Sequence, residues 1–88
     1  MICYLDCSKM NSTADIHNQL EAGLPLPEYY GRNLDALWDV LSTYFDELEI
    51  NLENYNQTPE EVQDYLAIMI TLFERLAKKR ENFTFNLL

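Results

Sequence analysis

Glycine is nearly missing from this chain: Gly23 and Gly31 are the only two in 88 residues. No glycine-rich loop that cradles a phosphate can be built from them, so GxGxxG and P-loop nucleotide sites are excluded. Histidine is scarcer still. His17 stands alone, and spacing suggests no serine, cysteine or carboxylate partner for it, so it reads as a structural or surface residue rather than a general base. Cysteine occurs twice, at Cys3 and Cys7. On one strand those positions stand roughly 13 Å apart, too far for a disulfide. Without a CxxC or a second ligand pair they make neither a zinc nor a redox motif. Reduced structural thiols are expected, which fits a cytoplasmic location. No apolar run approaches the roughly 20 residues of a membrane span. Ile2 to Leu5, cut short by an acid, does not make a signal peptide.

Positive charge is also in short supply. Six Lys and Arg face fifteen Asp and Glu, a formal charge of −9. The imbalance is uneven. Before residue 65 there are thirteen acids and two bases (Lys9, Arg32); after it come four bases (Arg75, Lys78, Lys79, Arg80) and two acids (Glu74, Glu81). Such a surface repels phosphate backbones, so direct nucleic-acid binding is not expected. A basic protein partner is attracted, and faster at low salt. The plainer alternative is that acidity serves solubility alone.

Hydrophobic residues make up 48% of the chain, enough for a core without staples. One domain spanning residues 1–88 is expected, because so short a chain cannot build a second core. Ile2-Cys3-Tyr4-Leu5 reads as a short buried strand. Ser12-Thr13-Ala14-Asp15 resembles a capping box, and Ile16 and Leu20 continue a helix near 13–22 that Gly23 stops. Leu24-Pro25-Leu26-Pro27-Glu28-Tyr29-Tyr30-Gly31 reads as an ordered loop, since two prolines exclude helix and central strand. Asn33 is a good N-cap for a helix near 34–45, with Leu34, Leu37, Leu41 and Tyr44 or Phe45 on its buried stripe. A strand follows near 49–53. Thr58-Pro59-Glu60-Glu61 reads as the strongest helix start, opening a helix to about Arg80. Its inward residues are Val62, Tyr65, Leu66, Met69, Ile70, Phe73, Leu76 and Ala77, and its terminal cations complement the dipole. Phe83 to Leu88 closes the chain as a strand. With helix between successive strands, the expected fold is α/β: a small three-stranded parallel sheet with helices packed on it.

The informative stretch joins the aromatic loop to the second helix. Asp35, Trp38, Asp39 and Ser42 share one face at i, i+3, i+4 and i+7. Two aspartates one turn apart repel, and a tryptophan between them is poorly used in solvent. Charged and aromatic anchors of this kind build binding hot spots. Against this stands the reading in which Trp38 is core and the aspartates merely solvate a face. An acid/base pair for glycoside hydrolysis faces across a cleft, not along one helix turn, so no enzyme is expected. Asp35 and Asp39 supply too few oxygens for a metal, and no cofactor is expected.

The run from Leu24 to Asp39 resembles the signature of the barstar family, inhibitors of barnase-type bacterial ribonucleases. Weaker similarity covers Ser12 to Leu20 and Phe83 to Leu88, and element order agrees across the chain. The resemblance implies that the loop and second helix fill a nuclease active site. Its matching positions are Tyr29, Asn33, Asp35, Trp38 and Asp39, with Tyr30, Gly31, Ser42, Thr43 and Tyr44 alongside. Asp39 takes the place of a substrate phosphate, Asp35 accepts hydrogen bonds at the guanine-recognising side, Tyr29 lies over the catalytic histidine, and Trp38 packs at the contact. The implied partner is a basic ribonuclease or nuclease toxin, bound one to one by a monomer in a bacterial cytoplasm. Departures are specific. Ser42-Thr43-Tyr44 stands where the family carries Thr-Gly-Trp, and Thr43 adds bulk. Arg75 replaces an interface glutamate, with Glu74 about 100° round the helix. Leu48 replaces a proline, which removes a slow isomerisation. Arg75 is repelled by a basic nuclease, which implies an acidic or neutral residue opposite it. A barstar-like interaction or regulatory module for a non-nuclease partner is the alternative.

Overall fold

Strand pairing organises the molecule. The structure is a computed structural model that describes residues 1–44 and 46–88. Three strands, β1 (Ile2–Asp6), β2 (Leu48–Glu53) and β3 (Phe83–Leu87), form one parallel sheet in the order β1-β2-β3. Parallel neighbours require crossovers. Helices α1 (Thr13–Gly23) and α2 (Leu34–Ser42) lie between β1 and β2, and α3 (Gln63–Lys79) lies between β2 and β3. This is the α/β architecture expected from the element order.

Register explains the two faces. Cys3 aligns with Ile50 and Phe85, and Leu5 with Leu52 and Leu87. Cys3, Leu5, Ile50 and Leu52 are buried with Ile16 and Leu20 of α1, Leu37 and Leu41 of α2, and Leu66, Met69, Phe73 and Leu76 of α3. The opposite face carries Ile2, Glu49 and Thr84 in one row and Tyr4, Asn51 and Asn86 in the next. There Ile2 and Tyr4 are each 61% exposed. β1 is therefore half-buried and alternating, not buried throughout as its apolar run suggests. Parallel sheets are ordinarily covered on both sides; here the second face is kept polar at its centre. Asn51, only 4% exposed, donates to Glu49 (2.9 Å) and accepts from Asn86 (2.8 Å).

α1 begins where expected, and the start of α3 differs from expectation for a local reason. In α1 the Ser12 hydroxyl caps the Asp15 N–H (3.1 Å), but Asp15 reaches back to the Asn11 N–H (3.0 Å), one residue beyond the reciprocal box. Gly23 ends that helix without a positive φ. Its missing side chain is a matter of space instead, since a Cβ there would stand 2.7 Å from the Cys3 Sγ. Thr58 does not cap α3. A 3-10 turn at Tyr55–Gln57 takes its hydroxyl, which donates to the Tyr55 carbonyl (2.6 Å). A second 3-10 turn covers Glu60–Val62, and α3 begins only at Gln63. Leu72 joins the buried face of α3, while Tyr65, Ile70 and Ala77 are half-buried.

Candidate functional site

The loop 24–33 and α2 form one continuous surface, held from beneath by α1 and α3. Asn33, extended at φ −141°, accepts the Ala36 N–H on its side-chain oxygen (2.8 Å), the cap expected of it. Asp35 follows in the first turn, where a carboxylate meets the positive helix end. The helix stops at Ser42, short of the expected 45. Phe45, a candidate for the buried stripe, lies outside the described residues. The Ser42 and Thr43 hydroxyls donate to the Asp39 carbonyl (3.3 and 2.9 Å), and such local bonds compete with helix continuation. The Arg80 guanidinium then donates to the Leu41 carbonyl and to Asp46 O (3.5 Å). Arg80 therefore caps α2, a role beyond the dipole of its own helix.

Loop position rests on two devices. Tyr30 is 8% exposed, and its hydroxyl lies 2.7 Å from Nδ1 of His17. Nε2 of His17 lies 2.7 Å from the Tyr65 hydroxyl. The histidine, 2% exposed, thus bridges loop and α3, and burial lowers its pKa, helped by Arg32. Burial pushes both tyrosine hydroxyls up. Arg32 is the second device. Its backbone is left-handed, at φ 55°. Its guanidinium pairs with Glu21 and donates to Asn18 Oδ1 (2.9 Å) and the Ala14 carbonyl (3.2 Å). Three contacts with α1 thus hold a backbone conformation that costs on the order of 1 kcal/mol.

The candidate residues separate into two groups. Tyr29 is 88% exposed, and Asp35 and Asp39 are exposed one turn apart. Among the described residues neither aspartate side chain has a hydrogen bond or ion pair; the one ion pair there joins Arg32 to Glu21. Trp38 lies between them, half-buried, with one side against the core. Gly31 and Asn33 are exposed, Ser42 is half-buried, and Thr43 is exposed with its hydroxyl turned to the helix. Tyr30 belongs to the second group. It is buried under the loop and supports the surface rather than presenting a free side chain. Tyr44 is half-buried against the core.

The resemblance implies an interface position for Arg75; its packing against Trp38, and that of Lys79, is what the structure adds. The Arg75 guanidinium sits 4.9 Å from the Trp38 ring centroid, and the Lys79 Nζ 5.4 Å. Each such contact is worth about 0.5–1 kcal/mol at an exposed site. Between α2 and α3 lies an open groove of about 320 Å3, walled by Leu34, Asp35 and Trp38 on one side and Ile68, Leu72 and Arg75 on the other. The signal in sequence was the spacing of Ile68, Leu72, Arg75 and Lys79 along one helical face.

Chemically, the arrangement offers anions rather than proton transfer. Two carboxylates stand on a capped helix beside an indole, with an exposed phenol on the loop. These features define a small α/β protein with an acidic surface that carries exposed aromatic groups. The sequence matches the family model of barstar (barnase inhibitor) over residues 1–88, and the chain belongs to that family. It is also similar to a protein of Bacillus subtilis (strain 168) named "Putative ribonuclease inhibitor YrdF", with 49% identity over 41 residues. That aligned stretch covers 46% of this chain and 45% of the relative, less than half of either.

Proposed function

We propose that this protein inhibits a barnase-like ribonuclease or nuclease toxin by inserting α2 and the preceding loop into its active site, one copy to one enzyme, in the cytoplasm. The observation that carries this reading is the pair of exposed carboxylates Asp35 and Asp39, one turn apart beside Trp38 in the sequence and, among the described residues, without an ion pair. A nuclease pocket is built to hold phosphates, so it is lined with cations and hydrogen-bond donors. A carboxylate fixed on a helix satisfies those groups and offers no bond to cleave. Tyr29 adds an aromatic surface at the edge, and the acidic surface as a whole speeds encounter with a basic enzyme. Family membership and the relative's name point the same way. The protein's own role is binding, not turnover.

Titrating the protein into a barnase-type ribonuclease tests this. RNA cleavage should end at one equivalent. Asp39→Ala should weaken binding by about thirtyfold or more, mainly through faster dissociation, because it strands cations in the closed interface; the general range for such pairs includes the barnase–barstar complex itself. Full inhibition by the Asp35→Ala/Asp39→Ala double variant overturns the site. Failure to inhibit any small basic ribonuclease, with tight binding to a non-nuclease partner, overturns the inhibitor reading.

A further inference from the structure

The binding surface carries two signs of charge. Arg75 and Lys79 are one turn apart on α3 and both lie over Trp38. Among the described residues neither makes an ion pair or a hydrogen bond. That is unexpected in a chain with fifteen acidic residues. Asp35 and Arg75 wall the same groove without forming an ion pair. Like charges at i and i+4 repel, and an aromatic face attracts a cation without neutralising it or using its N–H donors. The groove beside Arg75 is mixed: Leu34, Leu72 and the 60%-exposed Ile68 give it an apolar patch, and Asp35, Thr71 and Arg75 line it with polar groups. Arg75 on the groove wall beside that apolar patch, with Lys79 one turn further along α3, matches a carboxylate side chain with an apolar neighbour.

We infer that this groove receives an acidic segment of the partner nuclease: an aspartate or glutamate held by Arg75 and Lys79, with an apolar side chain seated on Ile68 and Leu34. This rests on the inhibitor reading and names the partner's second contact. The matching nuclease is bipolar, with a cationic pocket for Asp35 and Asp39 and an acidic rim opposite α3. Guanidinium takes carboxylate in a two-bond fork that lysine cannot copy. Opposed charges on adjacent helices also fix how the partner is turned on α2, and they reject nucleases whose rim is uniformly basic.

The experiment uses barnase, and barnase variants in which single lysines or arginines on the rim of the active site are replaced by glutamate, against wild type, Arg75→Glu, Lys79→Glu and Asp39→Ala. Trp38, the only tryptophan here, reports folding of each variant before binding is read by calorimetry. At least one rim reversal should tighten binding to wild type tenfold or more and lose that gain against Arg75→Glu, a coupling seen in the double-mutant cycle. Equal affinities of wild type and Arg75→Glu for every barnase form overturn the inference. If Asp39→Ala still weakens binding in that case, the inhibitor reading survives; if neither barnase nor any rim variant binds, both fall. A salt-sensitive dimer of the free protein that Arg75→Glu abolishes makes the occupant a second copy, and also overturns it.

Discussion

Gly23 at the end of α1 and Cys3 in β1 touch so closely that a Cβ on the glycine would come within 2.7 Å of the cysteine sulfur. The contact sets how near the first helix lies to the sheet. Gly23→Ala should lower stability by about 1–3 kcal/mol through overpacking. Combining it with Cys3→Ala should recover part of the loss. Urea midpoints of the two single variants and the double check this; an additive double variant would assign the cost to something other than the contact. The same burial pushes the Cys3 thiol up to about 11, so Cys3 should resist thiol reagents in the folded protein at neutral pH.

His17 ties stability to pH. Its ordinary value is 6.5, and burial lowers it in the fold. Above both values the imidazole is neutral in either state, and its contribution is complete. As pH falls through 6.5 the unfolded chain takes up a proton that the folded chain resists, so stability declines until the depressed folded value is reached. His17→Gln lacks this titration. The stability gap between wild type and His17→Gln should therefore narrow from pH 7.5 towards 5.5, measured by urea unfolding. A gap that stays constant contradicts the assignment.

Arg80 should matter more for α2 than for α3. Arg80→Ala removes a charged donor to the Leu41 carbonyl, which also accepts the Tyr44 N–H (3.4 Å), at a cost of about 1–3 kcal/mol. Hydrogen exchange should accelerate at the C-terminal amides of α2 more than in the middle of α3. Uniform acceleration would mean that the arginine does not act through that carbonyl.

Asp35 and Asp39 should part company in stability. Asp39→Ala relieves repulsion between them and should be neutral or stabilising by about 0.2–0.5 kcal/mol. Asp35→Ala relieves the same repulsion but loses a favourable charge at the helix start worth about 0.3–1 kcal/mol, so it should be the less stable of the two. Thermal melts at low salt distinguish them.

Legibility in the sequence followed range. Asn33, Ser12 and the proline-bounded loop act over a few residues, and the structure has them where local chemistry puts them. The parallel order followed from helix lying between strands. The start of α3 was misjudged because Thr58 had a competing partner three residues back, in a turn with no strong signature. The alternation in β1 was hidden because Ile2 and Tyr4 are apolar yet face the uncovered side of the sheet. His17 with Tyr30 and Tyr65, separated by 13 and 48 positions, was invisible to any local pattern. So was the seating of Arg75 and Lys79 over Trp38. For the candidate site, the exposed carboxylates were readable from helical spacing, while the cationic wall facing them required the packing of two helices.

The left-handed turn at Arg32 has a consequence for kinetics. It joins Tyr29 on the loop to Asp35 on the helix, and its guanidinium is anchored to α1 at three points. The ordering of that junction is complete once the chain has folded. On the proposed function, an incoming enzyme meets a preset template, and little freedom remains to be surrendered on contact. Association should be governed by collision and orientation, with a single kinetic phase and no slow rearrangement behind it.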